Sequence, residues 1–121
     1  MLLAILGTAG LSVLLHWGLG WEATVLAGVV AGAGAPRRGW FVGAAGVALG
    51  WSVLVVYTAA VAAPALRVLI DTLEALAGNI PGETVVGLTV LLGGVLGALG
   101  GGVGAALRPW LAGARPEAPS P

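Results

Sequence analysis

Apolar runs follow one another along most of this chain, separated by short breaks, and only one stretch departs from that pattern. Residues 2–17, 19–35, 39–61 and 84–107 are made almost entirely of Leu, Val, Ala and Gly, with Glu22 the one charged residue among them. A helix rises about 1.5 Å per residue and a hydrocarbon core is about 30 Å thick, so these runs read as membrane spans. The exception is residues 64–77, PALRVLIDTLEALA. Helical spacing puts Arg67, Asp71 and Glu74 on one face and Leu66, Leu69, Ile70, Leu73 and Leu76 on the other. That stretch is too short and too polar to span, and it reads as an amphipathic helix lying in the membrane interface. Pro64 suits its first turn. Gly78 and Asn79 supply a left-handed stop, and Pro81 prevents continuation.

Within the apolar runs the glycines are spaced. Gly93, Gly97, Gly100 and Gly104 recur at intervals of 4, 3 and 4 and fall along one helical face, with Gly94 and Gly101 widening the strip. Gly39, Gly43, Gly46 and Gly50 repeat that spacing in the third run, and Gly28 and Gly32 are one turn apart in the second. In water each interior glycine disfavours a helix by about 1 kcal/mol relative to alanine. In lipid the backbone has no other way to satisfy its hydrogen bonds, so the helix forms regardless. A bare strip then lets a second backbone approach closely. These ten glycines are the expected helix-packing positions of an all-α membrane protein, a four-helix bundle with one short interfacial helix.

The breaks carry the expected topology. Gly18–Gly20 is expected to turn between the first two spans, flanked by Trp17 and Trp21 as interfacial anchors. Pro36, Arg37 and Arg38 end the second span, since proline disfavours helix at the residue before it. At the far end Arg108 and Trp110 mirror Arg38 and Trp40. The second run, at 17 residues, lies at the lower limit for crossing, and it either crosses a locally thinned bilayer or dips in and returns. Crossing is the reading adopted. Four crossings place both termini on one side together with Arg37, Arg38, Arg108 and Arg115, leaving only Arg67 opposite. An excess of Arg and Lys marks the cytoplasmic side, so both termini are expected in the cytoplasm and the chain in the plasma membrane. Residues 1–110 form the membrane domain, and residues 111–121, LAGARPEAPSP, are expected to be a disordered tail.

A possible internal repeat runs through the same segments. TVLAGVVAGAGA (residues 24–35) and TVLLGGVLGALG (residues 89–100) match at Thr24/Thr89, Val25/Val90, Leu26/Leu91, Gly28/Gly93, Val30/Val95, Gly32/Gly97 and Ala33/Ala98. A true repeat would give two hairpins related by an axis along the membrane normal. Helices drawn from four residue types also match by chance, and the sequence leaves both readings open.

Composition changes the picture mainly by exclusion. Hydrophobic residues make up 59% of the 121 and charged residues 8%, against about 25% charged in soluble domains. The chain therefore lacks the polar surface to cover itself in water. The absence of Cys excludes disulfides, thiolate metal sites and cysteine nucleophiles. The absence of Lys excludes Schiff-base cofactors. A single His and a single Met cannot supply paired haem ligands. Net charge is zero, which gives nucleic-acid binding no support. No cofactor, metal site or nucleophile–base–orienter set is expected. The remaining candidate chemistry is slight. His16 and Glu22 face each other across the first turn as a possible proton-linked pair, because His titrates near neutrality. Trp51 falls at mid-span, where its indole N–H needs a partner. Thr8, Ser12, Thr24, Ser52, Thr58 and Thr89 are expected to bond backbone carbonyls or neighbouring helices. The expected role is that of a non-catalytic bundle embedded in the lipid bilayer, self-associating or serving as an accessory subunit beside a membrane-protein partner. The alternative is a minimal oligomeric channel or small-solute transporter.

Overall fold

The computed structural model describes residues 1–35 and 37–113. Among the described residues the chain is all-helical: α1 (Leu2–Leu19), a 3₁₀ turn (Trp21–Ala23), α2 (Thr24–Gly34), α3 (Gly39–Val61), α4 (Ala63–Leu76) and α5 (Gly82–Gly113). Three helices, α1, α3 and α5, are long and apolar enough to cross a membrane. The short α2 is equally apolar but has only 11 residues.

The boundaries correct the sequence reading in three places. The first helix does not stop at Trp17, and Gly18 is not part of a turn. The helix runs on to Leu19, and the reversal is concentrated at Gly20, whose φ of 103° is one that residues with a side chain rarely adopt. Its N–H still bonds the His16 carbonyl at 3.2 Å. The second segment is consequently not one helix over 19–35, but a 3₁₀ turn followed by α2. At the other end, α5 starts at Gly82 and passes through Pro109 to Gly113, so Leu111–Gly113 are helical where a disordered tail was expected. Proline forfeits its own N–H bond to the Ala105 carbonyl and crowds that carbonyl with its ring, yet the helix continues through it for one further turn. The remainder of that expected tail, including Arg115, lies outside the described residues, as does Pro36. The stop after α4 is formed as expected. Gly78 and Asn79 have φ of 80° and 64°, and the Asn79 N–H bonds the Glu74 carbonyl at 2.7 Å, the six-to-one bond of a Schellman ending.

Contacts fix the helix directions. α1 and α3 run side by side in the same sense. At one end Arg38 Nη1 donates to the Met1 sulfur at 3.6 Å. Further along, Thr8 lies against Gly46 and Ser12 against Gly50, and beyond them Trp17 meets Tyr57 with ring centroids 5.5 Å apart. The segment between two parallel neighbours must carry the chain back, and α2 does so. α5 runs opposite to α3, with Gly101 facing Gly39, Gly97 facing Gly43 and Gly93 beneath Trp51. It runs parallel to α2, with Gly28 facing Gly97 and Gly100, and Gly32 facing Gly101 and Ala105. Met1, Arg37, Arg38 and Arg108 therefore share one end of the molecule, and α4 with Arg67 lies at the other.

At the centre the backbones touch. A Cβ added to Gly28 would stand 2.6 Å from the Gly97 carbonyl oxygen, and one on Gly100 would stand 2.5 Å from that of Val25. Additions at Gly32, Gly43, Gly97, Gly101 and Gly104 would overlap facing carbonyls outright. The strip on α5 divides between two neighbours: Gly93, Gly97 and Gly101 face α3, while Gly97, Gly100 and Gly104 face α2. Ala27, Val47 and Trp51 form the buried apolar centre, with Leu11, Leu15 and Leu96 packed against it. The sequence match between residues 24–35 and 89–100 has no counterpart in height. It aligns Gly28 with Gly93, yet Gly28 sits beside Gly97 to Gly101, about one to two turns further along α5.

Candidate functional site

Most polar side chains in the helices are satisfied locally. Thr8, Ser52, Thr58, Thr72 and Thr89 each donate to the carbonyl four residues back at 2.7–3.0 Å. Thr24, fully buried, donates to the Trp21 carbonyl at 2.6 Å. These bonds keep hydroxyls out of the apolar surroundings without a second helix.

Among the described residues, three buried polar atoms find no partner: Ser12 Oγ, His16 Nδ1 and Trp51 Nε1. Leaving such a donor or acceptor unpaired costs about 1–3 kcal/mol, so the place where they gather is informative. Ser12 and His16 are one turn apart on α1 and face α3. Ser12 packs against Gly50, and His16 meets the neighbouring Trp51 edge to face, with ring centroids 6.4 Å apart and planes at 72°. Trp51 is only 9% exposed. It can sit there because Gly93 of α5 supplies a flat shelf: a Cβ on Gly93 would come within 2.8 Å of the indole ring.

His16 and Trp51 open onto a cavity of about 360 Å³. It lies at the α4 end of the molecule, between the last turn of α1, the second half of α3, α4 and the first half of α5. Leu66, Leu69, Ile70 and Leu73, the apolar face of α4, form its outer wall, and Thr58 and Thr89 contribute the only hydroxyls. Among the lining residues none is charged. The sequence isolated Trp51 as an indole in need of a partner and isolated the apolar face of α4. Nothing in the sequence placed the two around one space.

The expected pairing of His16 with Glu22 is not made. Glu22 is exposed on the 3₁₀ turn, with its carboxylate beside Gly20, while the imidazole is turned into the cavity against Trp51. The extra helical residues after Trp17 and the concentration of the turn at Gly20 separate the two faces. Of the expected anchors, Trp17 and Trp21 lie at the α4 end, and Trp40 and Trp110 at the end that holds Arg37, Arg38 and Arg108. All four indoles are well exposed. The ten expected packing glycines all lie where helices meet or where a side chain crosses, and Gly101, expected only to widen the strip, is among the most enclosed. Among the described residues no group of three His, Asp or Glu side chains is placed to hold a metal ion. Comparisons with protein-family models, with curated proteins and with solved structures give no match.

Proposed function

We propose that the chain is a non-catalytic integral membrane protein of four spans, with both termini on the cytoplasmic side of the plasma membrane. In this reading it acts as a structural or accessory subunit of a membrane assembly, made of its own copies or of a partner membrane protein. The observation that carries the reading is a contrast among glycines. Gly28, Gly32, Gly39, Gly43, Gly97, Gly100, Gly101 and Gly104 of α2, α3 and α5 are occupied by facing backbones within the molecule. Gly7 and Gly10 of α1 meet nothing within 4 Å, and they lie between the exposed Leu3, Leu6 and Leu14. A bare glycine strip on a peripheral helix, beside a shallow apolar groove against α3 formed with Leu49 and Val53, suits close approach by another helix. The parallel course of α1 and α3 supports treating α2 as a crossing. Arg37, Arg38 and Arg108 at one end against Arg67 at the other support the orientation.

The assembly reading is tested by gentle detergent extraction and mass measurement of the native particle. A mass above one chain is expected, and Gly7→Leu with Gly10→Leu should reduce it while leaving thermal stability unchanged. A strictly monomeric particle with nothing co-purifying would overturn it. Cysteine labelling in this Cys-free chain tests the orientation: a cysteine at Arg38 should be protected from an impermeant reagent in intact cells, and one at Thr72 should label. A channel through the bundle itself is not favoured, because the backbones of α2, α3 and α5 meet along its centre.

A further inference from the structure

Charge in this molecule is divided by end. The acidic residues of the described part, Glu22, Asp71, Glu74 and Glu83, all belong to the 3₁₀ turn, α4 or the first turn of α5, and so lie at the α4 end. Arg37, Arg38 and Arg108 lie at the opposite end, where no described residue is acidic. Arg37 and Arg38 line a cavity of about 380 Å³ there, together with Met1, Ala4 of α1, Ala35 after α2 and Val42 of α3. The backbone that carries the two arginines is held in place. The Arg38 N–H bonds the Ala35 carbonyl at 3.1 Å, and the Val42 N–H bonds the Arg38 carbonyl at 2.9 Å. The next residue, Gly39, is pressed into the bundle, where an added Cβ would stand 2.6 Å from the Gly32 Cα. The side chains, by contrast, are exposed. Arg38 reaches across to the start of α1, where its acceptor is the Met1 sulfur at 3.6 Å. A thioether is a weak acceptor, whereas a guanidinium carries five N–H donors in a planar fork. That fork matches two phosphate oxygens at once. Val42 lies one turn inward from Arg38 on the same helical face, so the cavity becomes apolar about 6 Å below the guanidinium level. A negative head followed by an apolar chain fits this order of residues. A zwitterionic head would bring its ammonium group to an end with no described carboxylate to meet it.

We propose that this cavity binds an anionic phospholipid, with its phosphodiester held by Arg37 and Arg38 and the start of an acyl chain against Ala4, Ala35 and Val42. The site rests on the chain lying in a bilayer, and not on the assembly or the sidedness proposed above. The test reconstitutes the full chain in phosphatidylcholine bilayers and compares trace spin-labelled phosphatidylglycerol with spin-labelled phosphatidylcholine by electron spin resonance. Motional restriction of both labels reports an embedded chain, and the excess for phosphatidylglycerol reports the site. One saturable site per chain is expected, with about twentyfold preference, from two arginines at about fivefold each. Arg37→Gln and Arg38→Gln should each lower the preference about fivefold. Arg38→Lys keeps the charge but loses the fork, and should recover only part of it. Ala4→Trp separates a built site from general surface charge. Ala4 is exposed, so the substitution spares the buried centre and leaves every arginine in place, yet it should fill the cavity and abolish the preference. Arg108→Gln removes a charge at the same end but outside the cavity, and should change the preference less than about twofold. Excess glycerophosphoglycerol, the same head without acyl chains, should not displace the label. Displacement by it would make the occupant a free phosphate ester and overturn the lipid assignment. Restriction of both labels without preference, a preference that survives Ala4→Trp, or equal losses in Arg108→Gln and Arg38→Gln would also overturn the proposal. Restriction of neither label would instead refute the membrane reading on which the site rests.

Discussion

Two eight-residue stretches of α5, one with five glycines (GALGGGVG, residues 97–104) and one with two (GETVVGLT, residues 82–89), are packed in opposite ways. From Gly97 to Gly104 the helix is pressed between α2 and α3, backbone against backbone. From Gly82 to Thr89 it stands off from α3, and the space between is closed by the side chains of α4, a helix without a single buried residue. Glycine content by itself does not explain the difference. Gly87 in the loose half and Gly102 in the tight half both have nothing within 4 Å. What differs is the neighbour. Where the facing helix also presents glycine, as Gly43 faces Gly97, the backbones close. Where it presents Leu54, Val55 and Thr58, side chains hold the helices apart and a cavity remains. Close approach is thus a property of pairs of faces and not of a single strip.

That contrast can be broken at its strongest point first. Gly97→Leu puts a branched side chain where even a Cβ would overlap Gly43 and come within 2.8 Å of Val47. Overpacking typically costs 1–3 kcal/mol, and because the obstruction here is backbone we expect about 3 kcal/mol, read as lost thermal stability with insertion intact. Insertion should survive because lipid enforces the helix whatever its neighbours. A stable Gly97→Leu protein would mean that the tight half does not hold the bundle together.

Gly93→Ala probes the boundary between the halves. The added methyl would meet the Trp51 ring at 2.8 Å, and a side chain can yield where a carbonyl cannot. A cost of about 1–2 kcal/mol is expected, together with a change in the fluorescence of Trp51 in a variant whose other four tryptophans are replaced by Phe. Gly87→Ala and Gly102→Ala should have the smallest effect. Both positions are open, and alanine should be neutral or stabilising by up to about 1 kcal/mol, measured by the same thermal unfolding. A loss at Gly102 comparable with that at Gly97 would show that the whole glycine-rich surface is packed, and the paired-face explanation would fail.

How much of this was legible beforehand varied with the range of the interaction. The third helix was bounded correctly at Gly39 and Val61 and the amphipathic helix nearly so, because apolar period, Pro64 and the Gly78–Asn79 stop act within a few residues. The turn after α1 and the passage of α5 through Pro109 are not legible in the local sequence. Gly18 and Pro109 signal a break only on average, and a helix already bonded on both sides absorbs them. The site was legible only in fragments. His16 was matched with Glu22 because they are near in sequence, whereas its neighbour is Trp51, reached by packing α1 against α3.

By itself the sequence determined that this chain is helical, that its long runs suit a bilayer, and which positions lack side chains. Those outcomes follow from composition and local period, since each backbone must satisfy its own hydrogen bonds wherever water is absent. Only the tertiary structure decided which bare faces meet, that the α5 strip serves two neighbours at once, and that the indole of Trp51 and the imidazole of His16 share one cavity. Those depend on the relative height and rotation of helices far apart in the chain. In a sequence drawn so largely from Gly, Ala, Val and Leu, many heights and rotations share the same apolar pattern, and only the fit of one surface against another distinguishes them.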